Sequence, residues 1–155
     1  MLSLSSLMLS LSLNALLIVG GLQSFIKFHS ILEARSTLNK LDYTLALARA
    51  QALTTQQVVR VCPKNTNAWQ HGWNIENSSQ QIIKQVSNSA NGALQFTAFQ
   101  NSPCLSILAD GMTYNNGHFT YRAHSLLYNI QEQLVFNQGL RTYFVHGSNL
   151  EYSKP

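Results

Sequence analysis

An uncharged apolar stretch opens the chain and runs without a helix breaker into an amphipathic pattern. Residues 2–26 carry no charged side chain, and Lys27 is the first charge. Beyond it, apolar residues recur in steps of three, four and seven that place them on one face of a helix: Ile31, Leu38, Leu41, Leu45, Ala48 and Ala52. The pattern predicts one rod that continues to about Thr55, with a length of about 75–80 Å at the rise of an α-helix.

The two halves of this rod differ in where their apolar residues lie. A membrane span needs about 20 apolar residues, so residues 1–27 are predicted to form a transmembrane half and residues 28–55 the amphipathic half of the same helix. No Lys or Arg precedes the apolar run, which is also longer than that of a cleavable signal peptide. Permanent anchoring is therefore expected, and the serines between Ser3 and Ser12 suit close contact between helices in lipid.

From Gln56 onward, short runs rich in Val, Ile, Phe, Thr and Tyr alternate with Gly, Asn and Ser clusters. This texture is typical of antiparallel strands joined by turns, and Asp110-Gly111 and Asn116-Gly117 are the sharpest turn dipeptides. Residues 56–155 are therefore predicted to form one β-domain. The predicted strands are Val58–Cys62, Trp73–Glu76, Gln81–Val86, Ala93–Phe99, Leu105–Leu108, His118–Arg122, Leu134–Phe136 and Arg141–His146.

The fold class follows from these two parts. The amphipathic half must bury its apolar face, and the β-domain is the only large surface that the chain offers to it. We therefore predict an α+β fold in which a long N-terminal helix packs on an antiparallel β-sheet domain. The helix packing face is expected to consist of Leu38, Leu41, Leu45 and Ala48.

Composition argues against catalysis. The chain has 155 residues, a net charge of +4 and only six acidic side chains, and its five histidines form no pattern with a nucleophile or a carboxylate pair. No enzyme activity, cofactor or metal site is predicted. The mild charge does not form the clustered basic footprint of a dedicated nucleic-acid binder.

The two cysteines bear on location. Cys62 and Cys104 lie at the edges of predicted strands, and such a pair favours a disulfide if the β-domain lies outside the cytoplasm. The alternative is two buried free thiols. The positive-inside rule points the other way, because Lys27 and Arg35 follow the apolar half and would keep the β-domain in the cytoplasm.

Several segments together resemble one family. The segment LDYTLALARAQALTTQQVVRVCP at 41–63 is similar to a stretch of FimT- and GspH-type minor pilins and pseudopilins, in which a helix with Leu-Ala-Arg-x-x-Ala leads into a strand ending in Cys-Pro. Trp69, Gly72 and Trp73 resemble the family's tryptophan-glycine-tryptophan hairpin. Leu105–Phe119 and Leu134–Gly139 resemble its later strands, so that the match covers about residues 20–147.

The resemblance implies a type IV pilin-like fold and a structural role. Its partners would be other pilins or pseudopilins, contacted through the N-terminal helix, and the inner membrane, with the C-terminal domain in the periplasm or in an extracellular filament. The function expected is that of a structural and assembly subunit of a type IV pilus or a type II secretion pseudopilus. The family's basic leader, processed glycine and membrane glutamate have no counterpart here, so the start is expected either to lie upstream or to have degenerated.

Two other interpretations stay open at this stage. Some FimT-type proteins bind DNA in natural transformation through a Gly-Arg-x-Arg motif, and Gly139-Leu140-Arg141-Thr142 occupies that place with a single arginine. Arg141, Arg122 and Lys154 are the candidate DNA contacts. Outside this class, the chain could be a bitopic membrane protein whose β-domain binds a ligand. Trp69 and Trp73 could form a stacking platform for a ligand, but a Trp-x-x-Gly-Trp hairpin is expected to contribute its indoles to the core.

Overall fold

A single long helix and eight strands make up this computed structural model. It describes residues 4–65, 68–98, 102–114, 116–125 and 128–147, except for the side chains of residues 4–7, 17–20, 23, 125 and 128. The helix α1 spans Leu4–Thr55 without interruption. The predicted rod and its C-terminal end at Thr55 are therefore confirmed.

The strands form two four-stranded antiparallel sheets. In chain order the strands are β1 (Val59–Pro63), β2 (Gly72–Glu76), β3 (Ile82–Ser87), β4 (Ala93–Ala98), β5 (Leu105–Ile107), β6 (Gly117–Ser125), β7 (Tyr128–Phe136) and β8 (Thr142–His146). The first sheet has the order β3-β2-β1-β5 and the second the order β4-β6-β7-β8. A short 3-10 helix, Trp69–His71, precedes β2.

All eight predicted strands are present, but one hairpin is longer than the sequence indicated. The pair β6 and β7 continues to the register match of Ser125 with Tyr128, whereas the sequence predicted only Leu134–Phe136 in the second of these strands. Residues 128–133 are mostly polar and carry little strand propensity of their own. Their backbone pairing with β6 therefore holds these residues in a strand that their own side chains do not predict.

The C-terminal half of α1 packs onto both sheets. It contacts β1 and β5 of the first sheet and β6 and β7 of the second. Leu38, Leu41 and Ala48 have no exposed surface, and Leu45 is 1% exposed. Ala34 and Ala52 extend this buried stripe at either end, and these small residues let the helix approach the strands closely.

Two polar contacts fix the helix in place. Thr44 accepts a hydrogen bond at 3.0 Å from the buried indole Nε1 of Trp73, while its own hydroxyl donates to the carbonyl of Lys40. Thr142 on β8 donates to the carboxylate of Asp42 at 2.6 Å. A buried N–H without an acceptor costs about 1–3 kcal/mol, so these bonds define one position of the helix on the sheets.

The two tryptophans belong to the core. Trp69 and Trp73 are 2% and 0% exposed, and Trp69 lies edge-on to Phe119 at 4.9 Å between ring centroids. Gly72 between them has φ +112, and a Cβ there would lie 2.2 Å from the carbonyl oxygen of Val86. Only glycine fits this position. The stacking-platform interpretation of the tryptophans is therefore wrong.

The two cysteines form a disulfide. Cys62 is the last but one residue of β1 and Cys104 precedes β5, the strand beside it, and their Cα atoms lie 4.3 Å apart. The bond joins residues 42 positions apart in sequence. It closes the loop that holds β2, β3 and β4.

Hydropathy bears on the first half of the helix. Among the residues that the structure describes, no helical stretch is long and apolar enough to be expected to cross a membrane. The transmembrane half predicted over residues 1–27 stays a prediction, because residues 1–3 and the side chains of residues 4–7, 17–20 and 23 lie outside what the structure describes.

The buried face of α1 gives a direct test of the packing. Replacing Leu45 with Asp places an unpaired charge in the core, and we expect loss of the cooperative thermal unfolding of the full chain by circular dichroism. Ala46→Asp is the matched control, because Ala46 is exposed one position further along the helix. Equal melting of both variants would show that this face does not hold the fold together.

The disulfide gives a second test. Closing a loop of this length is worth about 4 kcal/mol in the chain-entropy model, so the Cys62→Ser/Cys104→Ser variant should unfold at markedly lower denaturant concentration than the oxidised protein. Intact mass after alkylation without reductant should show no modified thiol in protein from periplasmic extract. Two alkylated cysteines would contradict the oxidised state.

Candidate assembly surface

The most prominent surface of the molecule is the uncovered half of α1. Every described side chain from residue 8 to residue 29 is exposed. Met8, Leu9 and Leu16 are 70%, 70% and 72% exposed. The other large apolar side chains on this half are Leu11, Leu13, Leu22, Phe25, Ile26 and Phe28. Soluble monomers rarely show so large an apolar patch, which marks a site of contact with a protein or a membrane.

Serine hydroxyls on this half are turned back onto the helix itself. Ser12 donates to the carbonyl of Leu9 at 2.9 Å, and Ser30 donates to the carbonyl of Ile26 at 3.2 Å. Each bond satisfies the hydroxyl without a partner from outside the helix. The surface can therefore enter apolar surroundings without leaving these hydroxyls unpaired.

A groove lies where the helix leaves the β-domain. Its volume is about 530 Å³. On the helix side it is lined by Phe25, Ile26, His29, Ser30 and Glu33, and on the sheet side by the start of β4 and the end of β6. The apolar patch therefore continues into a concave surface formed by both parts of the molecule.

The loop before β4 lies on the sheet side of this groove, and its backbone amides donate hydrogen bonds to side chains. The carboxylate of Glu33 accepts a hydrogen bond from the amide of Asn91 at 2.5 Å. The amide of Gly92 donates to the hydroxyl of Tyr121 at 3.1 Å. A Cβ on Gly92 would lie 2.4 Å from the Tyr121 ring, so the loop before β4 can approach β6 only with glycine there. No local sequence pattern indicates this groove, since its lining runs from Phe25 to His124.

The candidate DNA contacts do not form one site. Arg122 lies opposite Gln131 on β7, whereas the amide of Asn137, beyond the other end of β7, donates to the carbonyl of Arg141. Gln131 and Asn137 are six positions apart, so Arg122 and Arg141 lie beside points of the chain that are about 20 Å apart along the strand. Arg122 and Arg141 therefore do not lie side by side, and Lys154 lies outside the described residues.

The histidines of the second sheet have separate surroundings. Burial and the neighbouring Arg122 guanidinium lower the pKa of His118 on β6, which favours the neutral imidazole. Nδ1 of His146 on β8 bonds the buried carboxylate of Glu132 on β7 at 2.5 Å. His124 on β6 contacts Asn129 on β7. The last two contacts tie neighbouring strands together.

Comparisons with known proteins agree with this architecture. The solved structures include the type IV minor pilin FimU of Pseudomonas aeruginosa strain PAO1 in two crystal forms. One matches with a TM-score of 0.60 and 17% identity over 79% of this chain and 95% of that chain. The other matches with a TM-score of 0.54 and 17% identity over 74% and 94%. Comparison with curated protein sequences gives no significant match.

The family follows from the sequence match. The family described as type II transport protein GspH matches residues 37–138, which include most of the buried half of α1, the disulfide and most of both sheets. The likeness to FimU shows the fold, which confirms the predicted type IV pilin-like architecture. The chain belongs to the GspH family.

Proposed function

We propose that this chain is a minor pilin or pseudopilin, a structural and assembly subunit of a type IV pilus or a type II secretion pseudopilus. The observation that carries the proposal is the division of α1 into a half buried on the β-domain and a half whose apolar side chains are exposed. The family match supports it. A surface of this kind has a physical role only when other apolar groups cover it.

The partners that fit this surface are the helices of other pilin-like subunits. Moving the apolar half of α1 from other apolar surroundings to a neighbouring helix changes its solvation free energy little, because both surroundings are apolar. Packing and polar contacts therefore decide whether the helices associate. The serines of the first turns suit close approach of a second helix. Nothing in the site requires chemistry, so we assign the molecule a structural rather than a catalytic role.

The location that fits this role is the periplasmic side of the inner membrane. The disulfide supports an oxidising compartment for the β-domain. The apolar half of α1 would be held at the membrane together with the helices of its partners before assembly. This arrangement places the β-domain on the side opposite to the one that the positive-inside rule favours, and the disulfide is the observation that outweighs the rule.

Assembly can be tested with a change that leaves the β-domain intact. In a strain that lacks the gene, the wild-type chain should restore surface filaments or secretion, depending on which system it serves. Leu16→Asp should abolish this rescue because it places a charge on a helix surface that must be buried. Leu16→Met, which keeps the apolar character, is the control.

The outcome of this experiment decides the role. Full rescue by Leu16→Asp would contradict assembly through the exposed half, as would normal filaments and normal secretion in the strain without the gene. Which of the two activities is lost distinguishes a pilus subunit from a secretion subunit. The melting temperatures of Leu16→Asp and the wild type should agree, since Leu16 is exposed.

The separation of the basic residues predicts weak binding to DNA. Phosphate contacts contribute to affinity when several cations act together, and Arg122 and Arg141 are too far apart for that. We expect no duplex binding tighter than about 100 μM at physiological salt, a value in the non-specific range, and no change in Arg141→Ala. A titration of labelled duplex at several salt concentrations measures both. Micromolar binding that Arg141→Ala weakens would favour the DNA receptor instead.

A further inference from the structure

The outward face of the buried half of α1 carries a second apolar stripe. Exposed residues recur every three or four positions on the side opposite the β-domain, and we call them the outer seam: Phe28, Leu32, Ser36, Asn39 and Tyr43. Phe28, Leu32 and Tyr43 are 59%, 49% and 65% exposed. A shallow surface groove on this face is lined by helix residues alone, from Leu32 to Tyr43. The stripe is therefore available to a partner.

Cations border this seam. At 3.6 residues per turn, Arg35 and Lys40 lie on opposite sides of the seam, each about 70° from its centre. Both are exposed and line the shallow groove. At the far end, the ammonium of Lys84 on β3 lies 5.6 Å from the ring centroid of Tyr43. The outer seam with these cations resembles the contact face of a coiled-coil helix, which has an apolar centre and charged flanks. In coiled coils the flanking charges determine which helix binds.

Carboxylates of the same molecule do not pair with these cations. Of the described carboxylates, Glu33, Asp42 and Glu132 accept hydrogen bonds from Asn91, Thr142 and His146, Asp110 accepts one from the amide of Met112, and Glu76 lies opposite Arg60 in the β1–β2 pair. Within the part of the chain that the structure describes, no Lys or Arg forms a salt bridge. Arg35 and Lys40 therefore remain available for contacts outside the molecule.

We infer that the outer seam binds a helix of a different pilin-like subunit whose flanking residues are acidic. This inference rests on the proposed function and specifies the partner. A second copy of the chain would bring cationic flanks against cationic flanks, which is unfavourable. Ser36 and Asn39 at the middle of the seam suit a polar contact that fixes the register of two helices. Exposed aromatic rings among a few dispersed cations suit neither a phosphate backbone nor a large anionic surface.

The test uses the full chain in dodecylmaltoside micelles and three labelled peptides of three heptads each. All have a leucine seam; one carries glutamate flanks, one carries lysine flanks, and one has the same glutamates moved off the flanks. Fluorescence anisotropy measures the dissociation constants. We expect the glutamate-flanked peptide to bind about tenfold more tightly than the other two, with a preference that falls as salt is raised.

Charge reversal locates the contact. Arg35→Glu/Lys40→Glu should invert the preference between glutamate and lysine flanks. The matched control, Lys64→Glu/Arg141→Glu, changes the net charge equally at two exposed positions of the β-domain and should keep the wild-type preference. Thermal melting of both variants should equal that of the wild type, because all four side chains are exposed.

Several results would overturn the inference. Equal binding of the three peptides would mean that the charges select nothing, and an equal effect of the control variant would mean attraction by net charge alone. Displacement of the bound peptide by duplex DNA would make nucleic acid the partner, and self-association abolished by Arg35→Glu/Lys40→Glu would make it a second copy. Because this binding is measured apart from filament assembly, its failure leaves the result of Leu16→Asp unaffected.

Discussion

The rest of the structure depends on the contact between one face of α1 and two sheets. The helix residues Leu38, Leu41 and Leu45 share one buried core with residues of both four-stranded sheets. Full burial of each such side chain contributes about 1.5–3 kcal/mol. The bonds from Trp73 to Thr44 and from Thr142 to Asp42 then select one rotation of the helix. Apolar burial supplies the stability, and these polar contacts supply the position.

This anchoring gives the exposed surfaces their geometry. Because the C-terminal half of α1 is fixed on the sheets, the direction of the apolar half and of the outer seam is fixed relative to the β-domain. The helix thus joins the fold to assembly, with one face directed inward and the remaining surface available to partners. Carboxylates such as Glu33 and Asp42 serve the inward contacts, which leaves an outward surface that is apolar and basic.

The helix and the positions of the strands were predictable because their signals are local. Periodicity alone identified Leu38, Leu41, Leu45 and Ala48, and the structure buries all four. The division into two sheets was not predictable, since β5 pairs with β1 across more than 40 residues and no local pattern encodes that choice. The same holds for the separation of Arg122 from Arg141, which depends on the register of β7.

Hydrogen exchange across a denaturant series measures most directly whether the helix contact holds the fold together. The amides of residues 34–52 should lose protection at the same denaturant concentration as those of β1, β6 and β7, because the helix is part of their core. Amides of the exposed half should exchange independently of this transition. The account would be contradicted if residues 34–52 lost protection at clearly lower denaturant while the two sheets stayed protected.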